Sequence, residues 1–302
     1  MLTHGRPKSV RSGGVLGLVS CLTRHAVPLC QIDSNNEQNQ LGAQMSMHRC
    51  LFVIALFFPL VTWSWGDPTV PVEGTKYEAK LSLYVKEDVK RGTVLVLNGC
   101  NGPRAMHYYE WAKYLNEIGY NAIVVNSFDT RGLNNICPVR GNSSYSYDSF
   151  PDAVSVAHWV RKQEWSNGKV DAIGFSLGGI TTLLLASHEP TEAYKKAFDG
   201  VIAYYPTCRE AIQTRKVAIP LQVHIGLIDE WASADRCKAL QNTDGFKDAE
   251  FNYYENTHHQ FDGRSSGSSI CYKGVPCYYG ANKEANELSR ERVKGFFAKT
   301  LD

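Results

Sequence analysis

Ser176 stands in Gly174-Phe-Ser-Leu-Gly178, between an apolar run and a helical pattern that opens with Gly179 and Ile180. A strand, a tight turn and a helix in that order form a nucleophile elbow. The two glycines let backbone and helix approach closely around a strained turn, which thrusts the serine hydroxyl into the open. The helix that follows aims its free N–H groups and positive dipole end at the same place. Gly-x-Ser-x-Gly alone is a weak signal, because a glycine-rich connection also serves tight packing; the flanking strand and helix favour the chemical reading.

An alkyl hydroxyl is a poor nucleophile, so Ser176 needs a base, and the base needs an acid to orient it. In a parallel α/β sheet such groups sit in loops beyond the carboxyl ends of strands. The strand-like run 220–225 leads into Gly226-Leu-Ile-Asp229-Glu230-Trp231, and the run 251–254 leads into Glu255-Asn-Thr-His258-His259-Gln-Phe-Asp262. Asp229 is the expected acid, with Glu230 as its competitor and helix capping as its plainer task. One of His258 and His259 is the expected base. Ser176, then acid, then histidine is the chain order of α/β-hydrolases. His107, His158, His188 and His224 fall within helical or strand-like runs and read as packed or surface residues. The oxyanion hole is expected from backbone N–H groups of Leu177, after the nucleophile, and of Cys100 or Asn101, after the early buried strand.

The elements that must hold these groups alternate along the chain. Strand patterns cover 81–85, 93–97, 121–125, 169–174, 201–205, 220–225 and 251–254, and the buried apolar type dominates. Helical patterns cover 108–115, 151–161, a stretch from Ala232, and a last helix from Asn282 expected to bury Leu288, Val293, Phe296 and Phe297. Residues 126–149 read as a long loop. Such alternation implies a mostly parallel sheet covered by helices on both faces.

Bulk properties bound the rest. The 302 residues are 43% hydrophobic with a formal net charge of +2, which suits one α/β domain and gives no nucleic-acid footprint. Residues 1–44 read as a polar, irregular extension or a start placed too far upstream. Residues 45–66 read as a secretory signal peptide beginning at Met45 or Met47, with an apolar run at 50–63 shorter than the ~20 residues of a membrane span. Residues 67–302 are then the mature domain, secreted or periplasmic, with no stable membrane span. Of nine cysteines, six follow residue 66. An even number in an oxidising compartment suits disulfides. Cys271 and Cys277 are the nearest local pair; Cys100 with Cys137 and Cys208 with Cys237 complete one of fifteen connectivities. No Cys-x-x-Cys pair suggests zinc.

The chain resembles the dienelactone hydrolase family of the α/β-hydrolase superfamily over residues 91–262. The likeness rests on Asn98-Gly-Cys-Asn-Gly102, Asn126-Ser-Phe-Asp-Thr-Arg131-Gly with Cys137 after it, Gly174-Phe-Ser-Leu-Gly-Gly179, Tyr204-Tyr-Pro-Thr-Cys208, Asp229-Glu-Trp, and Tyr254-Glu-Asn-Thr-His-His-Gln-Phe-Asp262. It implies the α/β-hydrolase fold, a Ser176–His259–Asp229 triad, and no metal or organic cofactor. The family's His-x-Phe-Asp ending selects His259 over His258. Founding members carry cysteine where this chain has Ser176, and histidine where it has Asn98. Arg131 is a candidate for a substrate carboxylate, against the plainer reading of a salt bridge anchoring its loop. Tyr145, Tyr147, Tyr272, Tyr278 and Tyr279 are candidates for a pocket mouth. The expected activity is hydrolysis of small carboxylic esters or lactones through an acyl-enzyme. Its rivals are a peptidase or acyltransferase with the same triad, and a catalytically silent binding protein of this fold.

Overall fold

Strands rich in β-branched residues pair into one eight-stranded sheet in the computed structural model, the central ones buried on both faces. It describes residues 67–302 apart from 140, 188–193, 195, 196, 210, 211 and 272–274. The leader expectations for residues 1–66, including Met45 and Met47, lie outside the described residues, as do His188 and Tyr272.

The strands are β1 (Thr69–Pro71), β2 (Glu78–Tyr84), β3 (Arg91–Leu97), β4 (Asn121–Asn126), β5 (Ser166–Phe175), β6 (Gly200–Tyr204), β7 (Leu221–Gly226) and β8 (Glu250–Tyr254). Their order is β1-β2-β4-β3-β5-β6-β7-β8; β1 and β2 run antiparallel and β3 to β8 are parallel. Side chains alternate across a strand. Val94, Val96, Ile173 and Phe175 therefore face α1 (Met106–Glu117) and the last helix, meeting Trp111, Leu115 and Phe297. Leu95, Leu97, Ala172 and Val223 face the other way, towards Val156, Leu183 and Leu240 of α2 (Tyr145–Val160), α3 (Leu177–Ser187) and α4 (Ala234–Gln241). The winding reverses between β3 and β5, so the loops leaving those two strands diverge and open a crevice.

Three expectations need correction, and one element is new. The helix read as starting at residue 151 begins at Tyr145, with Pro151 inside it. The preceding stretch also holds short helical turns at Asp129–Arg131 and Asn142–Ser144, so 126–149 is not a plain loop. Leu288 is 45% exposed, because five residues at 100° each carry it 140° round α5 (Lys283–Thr300) from buried Val293. A hairpin of β9 (Gly267–Ile270) and β10 (Pro276–Tyr279) went unread, its residues being serine, glycine and tyrosine without a clean alternation. The three disulfides are Cys100–Cys137, Cys208–Cys237 and Cys271–Cys277.

Gly178 fixes how α3 meets the sheet: a Cβ there would lie 2.4 Å from the Leu97 carbonyl oxygen and 2.8 Å from that of Asn98. Alanine is worth about 1 kcal/mol over glycine within a helix, but these neighbours are backbone and cannot give way. Gly178→Ala is therefore expected to lower unfolding free energy by about 2 kcal/mol or more, read from the urea midpoint; an unchanged or higher midpoint would refute the close approach.

Asp171 in β5 accepts a hydrogen bond from Thr300 through one carboxylate oxygen, while the other is buried without a partner. Burial, reinforced by the charge of Asp199, holds its carboxyl well above the usual range. The unfolded chain ionises it near pH ~3.9, whereas the fold keeps the proton to higher pH, so folded stability falls as pH rises between those values. Asp171→Asn should raise the melting midpoint at pH 7. The gap should close below about pH 4 and change by no more than ~1.4 kcal/mol per pH unit.

Candidate active site

Backbone geometry presents Ser176 before any side chain acts on it. Its φ is +52°, in the left-handed region, and its N–H donates to the Tyr204 carbonyl at 2.9 Å. A non-glycine residue rarely sits there, and one that does is held by its surroundings. Gly174, Gly178 and Gly179 supply the room: a Cβ on Gly174 would lie 2.1 Å from the Gly178 oxygen, and one on Gly179 2.8 Å from that of Tyr204. The first intrahelical bond of α3 runs from Ile180 N–H to the Ser176 carbonyl at 3.0 Å, which leaves the amides of Leu177, Gly178 and Gly179 without intrahelical partners.

The loop after β8 brings His259 to this serine. Its Nε2 lies 3.0 Å from Ser176 Oγ and its Nδ1 lies 2.7 Å from Asp229 Oδ2. The loop is held by its backbone. Gly280 N–H donates to the His259 carbonyl at 3.0 Å, Asn282 N–H to that of Phe261 at 2.9 Å, and Gln260 carries a φ of +56°. Asp229 serves two ends at once. Its Oδ1 accepts the Trp231 and Ala232 amides, both at 2.8 Å, as a capping aspartate would, while Oδ2 faces the imidazole. Capping and orienting do not compete, since each takes one oxygen. Glu230 points elsewhere and accepts the Tyr278 amide at 2.7 Å. His258 packs beside Tyr278. His224 is core: Gln222 and Tyr254 bond its two nitrogens, and burial pushes its pKa down to about 3.

Opposite the helix terminus lies the loop after β3. The Gly99 amide donates to Tyr108 Oη at 2.8 Å, and the Gly102 amide to the Gly99 carbonyl at 3.2 Å. Between them, among the described residues, the amides of Cys100 and Asn101 take no partner, and both residues line the cavity at Ser176. Tyr108 pins this loop, since its hydroxyl also donates to Asn101 Oδ1; burial pushes its pKa far above the ordinary tyrosine value. Asn98 donates to the Gly99 carbonyl at 2.8 Å, a bond within the loop itself. The Cys100–Cys137 disulfide and an Ile136 amide bond to the Cys100 carbonyl at 2.8 Å tie the loop from its other side.

Two cavities meet at Ser176. One, of about 340 Å³, is walled by His107, Asn135, Tyr205, Trp231, Ser269 and Tyr279. The other, of about 410 Å³, has Val139, Leu177, Ile180 and Ile270 on its walls. Cys100, Cys137, Ser176 and Trp231 border both. Openings of this size suit small molecules.

Arg131 lines neither cavity at Ser176. Its guanidinium forks onto Asp152 at 2.7 and 2.8 Å, donates to the Ser127 carbonyl at 2.7 Å and lies over the Tyr77 ring, so it anchors its loop. Of the tyrosines, Tyr279 borders the cavity, Tyr145 packs against the Leu177 and Ile180 cluster, and Tyr147 and Tyr278 face solvent.

Sequence reasoning missed a polar cluster beside this chain of groups. Asp262, wholly buried, accepts Trp111 Nε1–H at 2.7 Å and the Tyr205 hydroxyl at 2.9 Å, with His107 Nε2 at 3.2 Å. Burial pushes its carboxyl up, but the neighbouring His107 and the hydrogen bonds from His107, Trp111 and Tyr205 outweigh it and hold the pKa below the usual range. The Tyr205 ring lies 4.5 Å from that of His259. The signal available was Asp262 itself, an acidic residue within the histidine loop's apolar ending.

Known proteins share this architecture. A dienelactone hydrolase-like promiscuous phosphotriesterase from metagenomic libraries superposes with a TM-score of 0.59 at 17% identity, covering 78% of this chain and 98% of its own. Est1E from Butyrivibrio proteoclasticus, solved with ferulic acid bound, gives 0.53 at 14% identity over 77% and 98%. A thermophilic esterase of the Planctomycetes species Thermogutta terrifontis gives 0.53 at 15% identity over 78% and 92%. At such identities the likeness is one of fold. No curated protein matches the chain in sequence. Residues 81–301, from β2 through α5, match the dienelactone hydrolase family as a whole. With the parallel strands β3 to β8, the elbow and the histidine loop all inside that match, the chain belongs to the dienelactone hydrolase family and is a carboxylic ester hydrolase.

Proposed function

We propose that this hydrolase cleaves small carboxylic esters or lactones by nucleophilic attack from Ser176. The observation that carries the proposal is the unbroken chain from Ser176 Oγ through His259 to Asp229, at 3.0 and 2.7 Å, beside a cavity of about 340 Å³. His259 Nε2 takes the serine proton as Oγ attacks the carbonyl carbon. Asp229 Oδ2 holds Nδ1–H, which leaves Nε2 free to act as base. The tetrahedral oxyanion is met by the amides of Leu177 and of Cys100 or Asn101, the first at a helix N-terminus. His259 then returns the proton to the leaving alcohol. Water, deprotonated by the same imidazole, attacks the acyl-enzyme and frees Ser176. Every group named is supplied by the chain itself.

The same proposal places the enzyme outside the cytoplasm, released by cleavage near residue 66. Three disulfides support an oxidising compartment. Amino-terminal sequencing of exported protein should then find a start close to Asp67; material beginning at Met1 would refute the leader.

A fluorophosphonate probe should label the folded protein at Ser176, with labelling lost in Ser176→Ala. Asp229→Asn, which keeps the shape but favours the wrong imidazole tautomer, should lower kcat on a p-nitrophenyl ester by about 10⁴-fold with little change in melting midpoint. Labelling at another residue, or a fall of less than about tenfold in Asp229→Asn, would remove the proposed roles.

A further inference from the structure

A second carboxylate–imidazole pair borders the cleft that holds the first. His107 Nε2 faces Asp262 Oδ2 at 3.2 Å, and the Tyr205 hydroxyl stands 3.5 Å from the same nitrogen. Trp111 and Tyr205 donate to the two Asp262 oxygens, so that carboxylate is an acceptor on every side. An ionised carboxylate cannot donate, and the proton in the His107–Asp262 bond therefore resides on Nε2. A neutral imidazole protonated at Nε2 has its lone pair at Nδ1, an acceptor. Among the described residues His107 Nδ1 has no hydrogen-bond partner, and it is not one of their buried, unpartnered side-chain atoms. Its residue lines the cavity at Ser176, with the ring steadied edge-on against Phe175 at 4.9 Å and Tyr108 at 5.2 Å. The triad has no use for this nitrogen. The cleft thus holds an imidazole fixed in position in one lobe, while Val139, Leu177, Ile180 and Ile270 line the other.

We propose that His107 is a neutral, substrate-binding imidazole whose Nδ1 accepts a hydrogen bond from a hydroxyl of the ester attacked by Ser176, with an aliphatic portion of that ester in the opposite lobe. The substrate class is a hydroxylated ester, and the assignment rests on the serine-esterase proposal. Asp262 and Tyr205 position the imidazole; neither touches the ester.

The test compares phenyl butyrate with analogues carrying one added hydroxyl, on the phenyl ring or at C3 of the acyl chain, and with a carboxyphenyl analogue. In the unmodified protein a hydroxylated ester should be preferred over its hydroxyl-free parent by about tenfold in kcat/KM, mostly through KM. In His107→Gln the amide nitrogen replaces Nε2 and keeps the bond to Asp262, but nothing accepts at the Nδ1 position. The preference should fall to near unity while the melting midpoint stays within a few degrees, a split that a purely structural His107 would not give. Absence of any hydroxyl preference, its survival in His107→Gln, or a stronger preference for the carboxylated ester would overturn the assignment and leave the esterase standing. No hydrolysis of any ester, together with no fluorophosphonate label on Ser176, would instead overturn the serine-esterase proposal, and this inference with it.

Discussion

The approach of backbone to backbone where β5 turns into α3 is the constraint on which the rest depends. Three glycines stand where any Cβ would collide with a carbonyl, and the one non-glycine among them, Ser176, is held at a positive φ. Packing this tight admits one arrangement of strand end and helix start, so the position of Oγ is set by atoms that take no part in chemistry. The helix terminus comes with it. Strain at the turn is balanced by what surrounds it, including the Tyr204 carbonyl on one side and the β3 loop on the other.

Around that fixed point the other groups arrive on loops, and loops need tethers. The loop after β3 is held by Tyr108 from α1 and by the Cys100–Cys137 bridge. The histidine loop is held by the chain segment that follows β10, through the bond from Gly280 to the His259 carbonyl. The acid loop is held partly by its own aspartate and partly by β10, which meets Glu230 through the Tyr278 amide. One hairpin thus braces both loops that carry the partners of Ser176. Precision on a loop comes from such cross-bonds rather than from the regular elements alone.

Much of this was legible in the chain because it repeats simple rules. Buried strands declare themselves as runs such as Thr93-Val-Leu-Val-Leu97, and the elbow declares itself through glycines that nothing else explains. Ser176, Asp229 and His259 could be placed because each follows a strand end, and the sheet carries those ends to one edge. What escaped was set by tertiary context. A helix containing Pro151 reads as two pieces, since proline is the usual breaker. Leu288 reads as core by type and is turned outward by helical phase. The hairpin of β9 and β10 has no apolar alternation to betray it. His107 reads as helix filler, and only the fold brings it to Asp262 from across 155 positions.

Both oxygens of Asp229 are spoken for, one by the turn that begins at its own residue and one by a ring thirty positions away. A glutamate there would carry its oxygens one methylene further out and could not satisfy both from the same Cα. Lengthening the segment between β7 and α4 would displace the amides that fix Oδ1 and tilt Oδ2 with them. Evolutionary drift in this connection is therefore coupled to the imidazole it supports: a relative that gains or loses residues here must rebuild its acid from another strand end.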